Sequence, residues 1–209
     1  AVEHLQQGLT IAETSGDAHA REMNLSNLGI LQRQLGQLEA AQAYLEQALE
    51  IARARGDQRG EAINLGNLGD AYRDLKQADK AITFYRQALK LAEKTGDRRG
   101  EAINLGRLGD TFRDQKQYTA AVDHLERALA IARDTNDPRG EAINLGRLGD
   151  TLRDQGLFEA AVEQHREALM IARQMDDKRG EGYSLVDLAL DYAALGQRET
   201  ALEHFEAGR

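Results

Sequence analysis

The chain has 209 residues, a formal net charge of -8, 30% charged and 5% aromatic residues, a single Pro, and neither Cys nor Trp. That acidic balance argues against the basic footprint of a nucleic-acid binder, and no apolar run approaches the roughly 18 residues that cross a bilayer. Without Cys there is no disulfide, no thiol catalysis and no Cys-ligated metal.

Ala, Leu, Glu, Arg and Gln dominate and all favour helix. One Pro leaves helices uninterrupted, so an all-α chain is predicted. Ala1-Val2-Glu3-His4 opens in an amphipathic pattern rather than a secretory leader, and a cytoplasmic protein is expected. Residues 1–16 read as the second helix of a hairpin, because Ala1 to Leu5 aligns with Ala121 to Leu125. Full units follow at 17–56, 57–96, 97–136 and 137–176, with a last, truncated unit at 177–209. The string Gly-Glu-Ala-Ile-Asn-Leu-Gly begins at Gly60, Gly100 and Gly140, spaced 40 positions apart. Ala20 to Ser26 fills the same slot earlier, and a weaker copy runs from Gly180 to Val186. Internal repetition of this length marks a helical array.

Each unit reads as two helices. In 57–96, Asp57 is a favourable N-cap for a helix reaching about Leu75. A break at Lys76-Gln77 precedes a second helix from about Ala78 to Lys94. Gly96 supplies the left-handed residue that ends it, and Asp97 caps the next unit. Pro138 follows Asp137 at the first helical turn, where Pro is tolerated. Gly69, Gly109 and Gly149 lie inside first helices, where glycine costs about 1 kcal/mol relative to Ala. Close approach to Ala81, Ala121 and Ala161 of the second helix is the expected reason, with larger side chains filling the flanks.

The pattern Leu68-Gly69-x-x-Tyr72, followed by Ala81-x-x-x-Tyr85-x-x-Ala88, resembles the tetratricopeptide repeat, and it recurs in register along essentially the whole chain. The 40-residue unit and the Gly-Asp-x-Arg-Gly-Glu junctions are similar to the longer-helix branch of that family. That branch holds kinesin light chains, Pins/LGN polarity adaptors and many bacterial regulators. The resemblance implies a right-handed α-solenoid, a superhelix whose first helices line a concave groove. Neither chain end carries the polar cap a solenoid needs, so a fragment of a longer protein is expected, with end-to-end self-association through the uncapped ends.

Sequence offers no catalytic constellation, cofactor or metal site. His4, His19, His124, His165 and His204 form no metal-binding pair at helical spacing and read as packing or solvent-facing residues. Carboxylates at Asp70, Asp74, Asp110, Asp114, Asp150 and Asp154 recur unit by unit, whereas catalysis needs one special environment.

The resemblance turns the second, fifth, sixth, ninth, twelfth and thirteenth positions of each first helix towards the groove. In this sequence these include Asn27, Asn67, Arg107 and Arg147 at the sixth position, with Asp70, Asp110 and Asp150 at the ninth. Arg73-Asp74, Arg113-Asp114 and Arg153-Asp154 follow at the twelfth and thirteenth. Gly66, Gly106 and Gly146 form the floor, leaving room for a partner's main chain. The charges suit recognition of a peptide or protein segment, or equally a network that satisfies itself between neighbouring units. Clamping of acidic chaperone tails, which in this family uses Lys and Asn at the fifth and ninth positions, is disfavoured by glycine and aspartate there. Asp79, Lys80, Arg86 and Lys90 read as a solvated convex face.

A non-catalytic interaction scaffold is the expected function. Its alternatives are a ligand-sensing or autoinhibitory arm of a larger bacterial nucleotide-switch protein, and an engineered scaffold, prompted by near-identical blocks at Gly100 and Gly140.

Overall fold

The computed structural model describes residues 2–209, which contain eleven helices and no strand. In chain order these are α1 (Val2–Ser15), α2 (Ala18–Gln34), α3 (Leu38–Arg55), α4 (Gln58–Asp74), α5 (Ala78–Thr95), α6 (Arg98–Asp114), α7 (Tyr118–Asp134), α8 (Pro138–Asp154), α9 (Phe158–Gln174), α10 (Lys178–Ala194) and α11 (Arg198–Ala207). Two compact units divide the chain, one ending at Asn104 and the other spanning Leu105–Arg209. In unit 1, α1 to α5 pack each on the next, and α2 also touches α4. In unit 2, α7 to α11 do the same, and α8 touches α10. No helix among the described residues is long and apolar enough to cross a membrane.

The even-numbered helices start where the aspartates predict. The Asp57 carboxylate accepts from the Gly60 amide at 2.9 Å, and Asp17, Asp97, Asp137 and Asp177 repeat the bond. Each satisfies one of the amides that a helix start leaves open. Helices α3, α5, α7, α9 and α11 have no side-chain cap. Left-handed residues precede them, as at Gly36 with φ 76°, and Gly96 ends α5 in the same way with φ 69°. The turn geometry persists where glycine is absent: Lys76, Lys116, Asn136 and Asp176 keep φ between 51° and 60°. Chain reversal at these points is therefore set by the packing of successive helices, which holds a side-chain-bearing residue in a backbone region it ordinarily avoids.

The interior of unit 1 is built from Leu25, Leu28, Leu45, Leu65, Leu68 and Tyr85, all almost fully buried. Unit 2 repeats the arrangement with Leu105, Leu108, Leu125, Leu145 and Leu188. The glycines do mark close approach, but the expected partner was misassigned. A Cβ on Gly69 would run into the Tyr85 ring, and Cβ atoms on Gly109 and Gly149 into Leu125 and His165. The large residue of the second helix sits on the glycine, so the alanine four residues earlier meets it only through its backbone, as Ala121 O does with Gly109.

Candidate functional site

The sixth, ninth, twelfth and thirteenth positions of the even-numbered helices carry the Arg and Asp rows singled out by sequence, and the structure pairs many of them with one another. In unit 1, Arg33 of α2 donates to Asp74 of α4 at 2.8 Å. Asp70 accepts the Tyr85 hydroxyl at 2.8 Å. Asn27 is exposed, Asn67 is buried and Arg73 is half-buried. In unit 2, Arg113 of α6 reaches Asp150 of α8 at 2.8 Å and Asp154 at 3.7 Å. Arg147 of α8 reaches back to Asp110 of α6 at 3.2 Å. Arg107 is half-buried and Asp114 exposed. Arg153 contacts Asp150 on its own helix, and on α10 it meets Asp191 at 3.1 Å and Asp187 at 3.4 Å. Apart from Arg153–Asp150 on α8, these ion pairs tie one first helix to the next. The partly exposed ones, such as Arg33–Asp74 and Arg113–Asp154, each contribute on the order of 1 kcal/mol or less.

Of the two roles the sequence left open for the histidines, His165 takes packing, and it is fully enclosed rather than half-buried. Its Nδ1 lies 2.6 Å from Asp191 Oδ2, and its Nε2 lies 3.1 Å from the Gly146 carbonyl oxygen. Asp191 is equally enclosed and also accepts from Arg153. The signal was present in the repeat. His165 stands where the other units have Leu45, Tyr85 and Leu125, and Asp191 stands where they have Ala71, Thr111 and Thr151. The two odd residues face each other.

Two His–carboxylate groups form across units of the repeat, where spacing within one helix does not reveal them. His19, Glu22 and Asp57 bring donor atoms within 4.8 Å of one another, as do Asp150, His165 and Asp187. Both already hold cations of the protein itself. Glu22 receives Arg55 at 2.5 Å and Asn64 Nδ2 at 3.1 Å, and Arg153 sits on Asp150 and Asp187.

A second row on the same helices is apolar. The second position holds Met23, Ile63 and Ile103 in unit 1, and Ile143 and Tyr183 in unit 2. All are 43–59% exposed. Scattered exposed apolar residues are ordinary, but a row recurring at one repeat position calls for a cause. Clefts open between these residues. One of about 360 Å³ lies between α2 and α4, beside Met23, Asn27 and Ile63. One of about 380 Å³ lies between α8 and α10, beside Ile143, Arg147 and Tyr183. Every residue lining the first has its counterpart 120 positions on in the second.

In the second cleft, Asp150 and Asp187 border Gly146. Burial foremost, and then the facing Asp150, push the Asp187 carboxyl above the usual carboxylate range, against the opposing pull of His165 and Arg153. Arg153 is itself partly desolvated, but Asp150, Asp191 and Asp187 outweigh that and hold its guanidinium above the ordinary arginine value.

Paired helices with a glycine-seated core, repeated every 40 positions, define a helical-repeat protein. The tetratricopeptide repeat model matches residues 1–54, 60–134 and 140–208, and the chain belongs to that family. No curated protein matches the chain. Among solved structures, it is similar to BtubC (BKLC) from P. vanneervenii at 19% identity and TM-score 0.84, covering 99% of this chain and 87% of that one. A putative kinesin light chain from Podospora anserina shares 23% identity at TM-score 0.71, with 90% of this chain and 93% of that one covered. A Rap protein complexed with Competence and Sporulation Factor shares 18% identity at TM-score 0.82, over 96% of this chain and 56% of that one. At these identities the likeness establishes the fold, an all-α tetratricopeptide solenoid.

Proposed function

We propose that this chain is a non-catalytic interaction module that holds an extended segment of a partner protein against its first helices. The exposed apolar residues at one repeat position, Met23, Ile63 and Ile103 in unit 1 and Ile143 and Tyr183 in unit 2, carry the reading. Each member lines or neighbours a groove position, and leaving several large apolar side chains in water is unfavourable unless something covers them. Apolar anchors surrounded by polar groups are the usual make-up of a segment-binding surface. Asn27 and Asn67, with Asp70, Arg73, Asp74, Arg107, Asp110, Arg113, Asp114, Arg147, Asp150, Arg153 and Asp154, form the polar surround. Many of these charges already pair with each other, so they shape and orient the surface while the apolar row supplies affinity. The Rap relative, solved with its factor, supports a role for this fold in binding.

The test is capture from cells that make the protein, using the parent beside an Ile63→Ser/Ile143→Ser/Tyr183→Ser variant with an unchanged Tm. A partner held by the parent and lost by the variant supports the reading. A partner retained by both moves the interface off the first helices. If nothing is captured, but a longer form of the same chain protects these residues from hydrogen exchange, the occupant is internal and the sensor-arm alternative is favoured.

A further inference from the structure

Unit 2 contains the same gap twice, and the two copies differ in the residue that faces the floor glycine. Between α6 and α8 the gap is bordered by Gly106, Asp110 and Arg147. A Cβ on Gly106 would collide with Arg147 Nη1, so the guanidinium covers that glycine while its Nε binds Asp110. Between α8 and α10 the corresponding residues are Gly146, Asp150 and Asp187. Here the sixth position carries a carboxylate instead of a guanidinium. A Cβ on Gly146 would meet no atom within 4 Å, and the cleft of about 380 Å³ opens there.

Asp150, Asp154, Asp187 and Asp191 share Arg113, Arg153 and the His165 ring, and Arg139, Arg147 and Arg179 also line the cleft. Arg153 already contacts Asp150 and Asp187, yet burial and Asp150 keep the Asp187 carboxyl raised. The walls are apolar at Ile143, Met175 and Tyr183. Tyr183 already receives one guanidinium on its ring, that of Arg179 at 5.4 Å.

We propose that the cleft between α8 and α10 is a subsite for an arginine side chain of the bound segment, seated over Gly146 with its guanidinium on Asp150 and Asp187, as Arg147 sits over Gly106 on Asp110. It deepens the interaction reading above and rests on it. The methylenes of the incoming side chain pack on Ile143 and Tyr183, and the planar fork suits two carboxylates better than an ammonium does. Arg139 and Arg179 at the rim repel a uniformly basic segment. The sequence selected is therefore a single arginine flanked by neutral or acidic residues. The equivalent cleft in unit 1 lacks the floor: Ser26 and Asn67 stand where unit 2 has Gly146 and Asp187.

The experiment is a titration of the 15N-labelled protein with N-acetyl-arginine amide at constant ionic strength, beside the lysine and norleucine amides. Saturable shifts at Gly146, Tyr183 and Ser184 are expected from the arginine amide, weaker ones from lysine and none from norleucine. Asp187→Asn should weaken arginine binding about tenfold, the effect of losing one charge-assisted hydrogen bond. Asp187→Arg should abolish it and raise Tm, because its own side chain then takes the place over Gly146. Equal shifts from norleucine amide, or unchanged arginine binding in both variants, would overturn the subsite. So would Zn²⁺ or Mn²⁺ occupying Asp150, His165 and Asp187 in a way the arginine amide cannot displace. A negative titration beside a partner lost only by the apolar-row variant would sink the subsite and leave the interaction reading standing.

Discussion

The two clefts share a backbone plan and differ in what they present. The one in unit 1 has Met23 and Ile63 on its walls and Asn27 at the sixth position, with His19, Asp57 and Arg59 beside Glu22, which is held by Arg55 and Asn64. The one in unit 2 has Ile143 and Tyr183, three arginines and the Asp150–Asp187 floor. The difference lies at the floor, where unit 2 sets two aspartates beside a bare glycine. The repeat thus keeps its helix contacts constant while the residues lining each cleft change.

The largest expected effect breaks the feature found only in unit 2. His165→Leu, which copies Leu45 and Leu125, leaves Asp191 enclosed with one fewer partner and should cost about 3–5 kcal/mol by urea unfolding. Adding Asp191→Thr, the residue of the neighbouring units, should recover most of it. A single variant as stable as the parent would show that the pair carries little.

Glycines sharpen the comparison next. Gly109→Ala drives a methyl into Leu125 and should destabilise by about 1–3 kcal/mol. Gly146→Ala has open space and should stabilise by up to about 1 kcal/mol through helix propensity. Thermal melts of both decide whether the local packing is as described.

A similar gain is expected from Lys116→Gly, which relieves a left-handed residue, by about 1 kcal/mol. The matching change at Gly156, to Lys, should cost a comparable amount.

Asp187→Asn gives a smaller, pH-dependent effect. A carboxyl raised in the folded state binds its proton more tightly there than when unfolded, so its ionisation erodes stability as pH rises from the unfolded value through the folded one. The Asn variant should therefore match or exceed the parent near neutral pH, with the advantage disappearing as pH falls through that window. A parent more stable at neutral pH than in mild acid relative to the variant would reverse the sign and contradict the described environment.

Much of this was legible in the sequence because it is local. The aspartate caps and Gly96 depend on residues within a turn of one another, and their spacing declares them. The core register was legible too, but the residue that sits on Gly69 depends on how far two helices are offset, which no local pattern records. The Arg and Asp rows could be assigned to a helix position from the family resemblance. Their pairing could not, since Arg33 to Asp74 and Arg113 to Asp150 join helices one repeat apart. His165 and Asp191 were detectable only as two departures from the repeat that happen to meet. The isoleucines were in plain view within Gly-Glu-Ala-Ile-Asn-Leu-Gly, but their exposure depends on how neighbouring helices pack.

The most direct test of the central claim is site-specific photo-crosslinking in cells that make the protein, with benzoylphenylalanine placed singly at Ile63, Ile143 and, on a second helix, Arg86. Adducts to the same partner from positions 63 and 143, and none from 86, are the predicted result. Adducts from 86 alone would place the interface on the other helices and contradict the account.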